Sequence, residues 1–207
     1  MAKKTRRTTT DTEPPPRPRQ RARKDAVAEL QEETAQTEQK QQDKGAESFY
    51  LLKSEPHEFS IDDLASKKNQ TEPWDGVRNY QARNIMRGMK VGERAFFYHS
   101  NCKEPGIVGI CEVVHEAYPD STALDPASEK HDPKSTAEDP RWYMVDVKLV
   151  RRLGRLVSLQ ELKKYIDTDL KGMVLLSKGR LSVQPVSAQH WDFILGLEDQ
   201  VSQEAAK

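Results

Sequence analysis

His99-Ser100-Asn101-Cys102 is a segment whose residue types suit nucleophilic chemistry. A Ser or Cys nucleophile needs a base within hydrogen-bond reach and a third group to orient that base. Neighbours at a strand end point in alternate directions, so His99 and Ser100 do not serve one another. No Gly-x-Ser-x-Gly elbow surrounds the serine, and Cys102 lacks any catalytic-family surround. The plainer reading is a strand end whose polar side chains satisfy a turn. His99-x-x-Cys102 also has the spacing of half a zinc site, but Cys111, His115 and His131 supply no second close pair. No Walker loop, Gly-x-Gly-x-x-Gly or His-Glu-x-x-His is present. The chain is expected to use no metal and no cofactor.

A second constellation points to binding. Trp74, Tyr80, Tyr98, Trp142 and Tyr143 lie in sequence near Arg78, Asn79, Asn101 and Arg141. A flipped or unpaired base needs an aromatic face for stacking and amide or backbone groups to read its edge. Each stacked base contributes on the order of 1–3 kcal/mol, which matters even without a basic surface. Single Trp and Tyr residues are commonly core, and Trp142 and Trp191 read that way. Trp74 differs, because Asp75-Gly76 beside it has turn chemistry and a core residue is less expected there.

The elements that would position these residues are legible from pattern. Phe49–Lys53 reads as a buried strand ended by Glu55-Pro56. Ser60 caps a helix whose first turn carries Asp62 and Asp63. Gln81–Met89 is a helix with Ala82, Ile85, Met86 and Met89 on one face. Strands are expected over Arg94–Ser100, Gly106–Ala117 and Arg141–Arg151. Gly106–Ala117 is apolar on both faces, as a central or barrel strand requires. Residues 118–140 hold four of the twelve prolines and read as a long loop. A Ser158–Glu161 capping box opens a helix through Tyr165. Met173–Leu176 and Arg180–Gln184 are short apolar pieces, and Ser187 caps a last helix with Trp191, Ile194 and Leu195. This pattern lacks a βαβ rhythm and indicates an α+β, barrel-like domain with surrounding short helices.

Charge is balanced overall but graded along the chain. Residues 1–24 carry nine basic against two acidic groups, net +7; residues 25–47 are −5 and residues 48–207 are −2. The first 47 residues contain no aromatic and bury too little to offset ordering, so a disordered tail is expected. The ordered domain is expected over 48–199, with 200–207 again disordered. No apolar run approaches a bilayer span, so no membrane partner is expected. Two cysteines fit a reducing compartment. The clusters Lys3, Lys4, Arg6, Arg7 and Arg17, Arg19, Arg21, Arg23, Lys24 have the composition of nuclear import signals.

Four motifs occur in order: Tyr50–Pro56, Trp74–Asn84, Phe97–Asn101 and Arg180–Pro185. Together, across residues 49–197, the chain resembles the EVE domain, in the thymocyte nuclear protein family. The resemblance implies a PUA-like β-barrel related to YTH domains, and a non-enzymatic reader of a modified base. The implied ligand is 5-hydroxymethyl- or 5-methylcytosine in DNA. The implied pocket comprises Lys53 and Ser54, Trp74, Asp75, Gly76, Val77, Arg78 and Asn79, Tyr98, His99, Ser100 and Asn101, completed by Ser182 and Gln184. Within it, Trp74 is assigned the stacking face and Asn79, Ser54 and Asn101 the base edge. Ser100 and the Asp75-Gly76 amides would meet a substituent, and Lys53, Arg78, Arg83 and Arg141 flanking phosphates. Tyr50 stands where many members have Trp. Three other readings compete: an RNA reader, an enzyme on modified bases using Asp75 or Glu55, and a peptide-binding module.

Overall fold

Alternation along the strands sorts the apolar residues into two clusters, one on each face of a single sheet. The computed structural model describes residues 48–204. The tail with its basic clusters from Lys3 to Lys24, and residues 205–207, lie outside the described residues. Six strands, β1 (Phe49–Ser54), β2 (Thr71–Trp74), β3 (Arg94–His99), β4 (Gly106–Pro119), β5 (Tyr143–Ser158) and β6 (Val183–Val186), pair in the order β2-β5-β4-β3-β1-β6. β1 and β3 run parallel, and the other pairs are antiparallel.

Tyr50, Leu52, Ala95, Phe97, Cys111, Val113, Val145, Val147 and Val183 join Trp74 in the first cluster. Phe49, Leu51, Phe96, Tyr98, Ile107, Ile110 and Val157 face the second. Trp74 on β2 lies 5.3 Å from Phe97 on β3, although two strands separate them in the sheet order. The sheet is therefore curled around the first cluster, and register shifts between β3 and β4 and along β4–β5 supply the bending. It does not close. Among the described residues β2 and β6 each pair with one neighbour, so the barrel expected from sequence is an open, curled sheet in an α+β fold.

The helices are α1 (Ile61–Ser66), α2 (Tyr80–Met86), α3 (Ser121–Leu124), α4 (Leu159–Lys163), α5 (Val174–Ser177) and α6 (Ala188–Glu204). The Ser60 hydroxyl accepts from the Asp63 amide and the Ser60 amide donates to the Asp63 carboxylate, a complete capping box. Gly109 leaves the space that the Ile61 side chain fills, seating α1 against β4. Ser187 accepts from the His190 amide at 3.2 Å to open α6, which places Trp191 stacked between Phe96 and Phe49. α6 runs beyond residue 199, where order was expected to end. No helix among the described residues is long and apolar enough to cross a membrane.

Two elements differ from expectation for identifiable reasons. β5 continues seven residues past Arg151, because Arg151 pairs with Glu198 and Arg155 with Glu161, which satisfies charges that read as a strand end. Residues 118–140 fold onto the sheet. Asp120, 1% exposed, caps α3 through Thr122, and Asp132 accepts from the Trp142 indole at 2.7 Å.

Candidate nucleic-acid interface

The loops after β1, β2 and β3 and before β6 enclose a cavity of about 910 Å³, inside the range of roughly 300–1,000 Å³ usual for ligand sites. Of the residues implied by resemblance, Lys53, Ser54, Trp74, Asp75, Gly76, Val77, Arg78, Asn79, Ser100, Asn101 and Ser182 line it. The register explains the convergence. Ser54 pairs with His99 at the ends of parallel β1 and β3, and the Lys53 amide donates to the Ser182 carbonyl at 2.9 Å just before β6.

Three implied residues are placed elsewhere. Tyr98 is one residue from Phe97 and so points to the opposite face, where it is 3% exposed and burial pushes its phenol up to about 12. His99 turns its Nε2 to accept from the Ile61 amide at 3.1 Å, and burial lowers its pKa. Gln184, 1% exposed, donates to the Lys178 and Leu181 carbonyls and braces the Gly179–Ser182 segment from behind.

Several lining residues have internal partners that redefine their roles. Trp74 is 7% exposed, edge-on to Phe97 and to Phe59 at 6.3 Å, so it forms the cavity floor as a core residue and is not a free-standing platform. Asn79 caps α2 by accepting from the Gln81 and Ala82 amides, at 2.9 and 3.1 Å, which removes its oxygen from base reading. The Gly76 amide donates to Asp120 at 3.0 Å and is not free for a substituent. Arg78 gives Nη1 to Asp120 at 2.7 Å and Nε to the Lys130 carbonyl at 2.9 Å. Burial alone would raise the Asp120 carboxyl. The bonds from Thr122, Arg78 and Gly76 outweigh it and hold that carboxyl below the usual range.

Arg83 and Arg141, expected at phosphates, do not line the cavity. Arg83 donates to the Arg141 carbonyl at 2.7 Å and to Asn84, and lies 4.8 Å over the Tyr80 ring. Arg141 reaches the Tyr80 hydroxyl and Asp132. Tyr80 itself stacks on Trp142 at 4.8 Å. These guanidiniums hold α2 to the 120–142 segment.

Other groups face the free space. Lys53 sends its ammonium to the Gly179 carbonyl at 2.8 Å, and burial lowers its pKa. Ser54 donates to the Phe59 carbonyl, and Asn101, at φ 48°, donates to Glu55 at 2.6 Å. Residues not anticipated from sequence complete the lining: Glu58, Phe59, Glu72, Pro73, Lys130, Gly179 and Arg180, together with Glu55, weighed only as a catalytic acid. Lys130 comes from the 118–140 segment to pair with Asp75 at 2.9 Å. Gly76 sits at φ 72°, the left-handed region that favours glycine, and the Lys130 side chain passes 2.5–2.7 Å from where a Gly76 Cβ would stand. Charges balance within the cavity, with Lys53, Arg78, Lys130 and Arg180 against Glu55, Glu58, Glu72 and Asp75.

The two acids that the competing enzyme reading would use are thus engaged, Asp75 by Lys130 and Glu55 by Asn101. Glu55, His57 and Glu58 bring ligand-type atoms within 4.8 Å of one another, but these are partly or fully exposed groups on one loop. That is one donor short of a closed structural site.

Comparison with known proteins agrees with this architecture. The EVE domain family model matches residues 48–197. Thymocyte nuclear protein 1 of Homo sapiens is 48% identical over 171 residues, 75% of this chain and 76% of that protein. The Danio rerio protein of the same name is 50% identical over 168 residues, 74% and 73% of the two chains. A crystal structure of human THYN1 in complex with 5-methylcytosine-containing DNA matches with a TM-score of 0.72 at 49% identity, covering 74% of this chain and 98% of that one. A hypothetical protein from Leishmania major matches with a TM-score of 0.70 at 55% identity, covering 75% and 96%. The chain belongs to the EVE domain family.

Proposed function

We propose that this protein is a non-enzymatic reader of a modified cytosine, 5-methyl- or 5-hydroxymethylcytosine, in DNA. One observation carries the reading. An open cavity with an aromatic floor and polar walls stands in a chain 49% identical to a protein captured on 5-methylcytosine DNA. The cavity admits a base turned out of the stack. Trp74, Phe59 and Val77 offer the apolar wall that a 5-methyl group needs, and Ser54, Ser100, Asn101 and Ser182 offer polar atoms for the ring edge. Lys53, Lys130 and Arg180 at the lining take the flanking phosphates, in place of Arg83 and Arg141. The chain works in the nucleus, a reading supported by the basic clusters Lys3–Arg7 and Arg17–Lys24 and by the name its relatives share.

The test is a titration of the full chain against matched oligonucleotides carrying cytosine, 5-methylcytosine, 5-hydroxymethylcytosine or N6-methyladenine, each in DNA and in RNA. Preference for a modified cytosine in DNA is expected. Asn101→Gly, which suits the positive φ while deleting a pocket side chain, is expected to weaken it. Equal affinity for modified and unmodified bases would refute the reading.

A further inference from the structure

A 5-methyl contact alone does not identify 5-methylcytosine. Thymine is 5-methyluracil, so it presents the same methyl group to the same apolar wall and is abundant in DNA. The two bases differ at position 4, where cytosine carries an amino donor and thymine a carbonyl acceptor. They differ also at N3, an acceptor in cytosine and an N–H donor in thymine. A reader can therefore tell them apart with an acceptor beside the methyl wall, C4 being the ring neighbour of C5, or with a donor at N3.

Resting on the modified-cytosine reading, we infer that Asp75 accepts from the 4-amino group of the bound base and thereby rejects thymine. Asp75 directly follows Trp74, the buried floor residue, and stands two positions before buried Val77. Its backbone is fixed by the Gly76 amide bond to Asp120 at 3.0 Å, and its Oδ1 is held by Lys130 at 2.9 Å. Oδ2 has no protein donor among the described residues, in a side chain only 32% exposed and lining the cavity. One oxygen is thus anchored and the other open, next to the wall where the methyl must lie. Two other carboxylates fit less well: Glu58 is exposed, and Glu55 is tied to Asn101 on the β1 side. Glu72 is the rival, also 32% exposed at the lining with Oε1 on Lys67 at 2.8 Å. Asp75, however, stands between Trp74 and Val77, the two residues of the methyl wall that flank it in the chain. Thymine in the same pose would set its O4 against Oδ2, acceptor against acceptor, leaving a partly buried carboxylate unsatisfied.

The experiment compares single-stranded oligonucleotides that differ only in 5-methylcytosine or thymine at one position, so that base pairing does not contribute. Wild-type chain is expected to favour 5-methylcytosine by about 10- to 100-fold. Asp75→Asn is expected to bring the ratio within about threefold, because an amide turned either way meets an amino group or a carbonyl. Lys130→Met, which removes a proposed phosphate contact but keeps the carboxylate, is expected to weaken binding of both oligonucleotides alike. Glu72→Gln, which neutralises the rival carboxylate, is expected to keep the ratio. Thermal melts verify that each variant is folded. A ratio unchanged in Asp75→Asn overturns the role of Asp75. So does equal wild-type binding of the two bases, although that leaves a methyl reader standing. Binding of neither oligonucleotide refutes the reader itself.

Discussion

The two faces of the curled sheet are built from alternate residues of the same strands, yet they end differently. On the outer face, Phe49, Leu51, Phe96 and Tyr98 are sealed by α6, with Trp191 stacked 3.9 Å from Phe96 and 4.4 Å from Phe49. On the inner face, Tyr50, Leu52 and Phe97 lead to Trp74, where the apolar layer meets the cavity. One tryptophan completes a core and the other ends one. A strand pattern alone therefore does not separate structural from functional aromatics; the element that covers each face does.

That contrast can be broken most directly at the two tryptophans. Trp191→Ala and Trp74→Ala should each cost about 3–5 kcal/mol, measured by urea unfolding, since each removes a large buried ring. They should part in function: at low temperature, where both variants remain folded, Trp191→Ala keeps DNA binding and Trp74→Ala loses it. Loss of binding in both would mean that the faces are not independent. Asp120→Ala comes next, at about 3 kcal/mol. It strands Arg78 and releases the Gly76 amide, so unfolding and DNA titrations should both record a loss. A stability loss without weaker binding would show that the Trp74–Asn79 turn holds its shape unaided.

The smallest effect concerns His99, which sits at the end of β3 edge-on to Phe97. Its folded-state pKa lies below its ordinary value of 6.5, so protonation is harder in the folded chain than in the unfolded one. Its contribution is complete above pH 6.5 and is lost as pH falls from there toward the folded value. The unfolding midpoint of the wild type should therefore drop below pH 6.5, and that part of the drop should vanish in His99→Gln. Identical profiles would show that the imidazole stays uncoupled from folding.

Much of the scaffold was legible. Ser60 and Ser187 cap the helices expected of them, and the period-2 alternation in Phe49–Leu52 and Ala95–Tyr98 sorts correctly between the faces. Trp74 was misplaced because Thr71, Glu72 and Pro73 hide an edge strand, where proline is tolerated because one side of the backbone is unpaired. Its partner β5 is distant in sequence, so nothing local reports the pairing. Asn79 was assigned to the base edge and Gln184 to the pocket, since a side-chain amide gives no sign in the sequence that it will bond to nearby backbone. Lys130 reaches the cavity from 55 residues beyond Asp75, which only the folding of the 118–140 segment makes possible.

The proposed role of the inner-face cavity is to read a methyl group on cytosine. Its most direct test is the affinity of the full chain for one DNA oligonucleotide carrying either cytosine or 5-methylcytosine at a single position. Tighter binding of the methylated strand, weakened in Asn101→Gly while Trp191→Ala retains it at low temperature, is the predicted result. Equal affinity for the two strands would contradict the account.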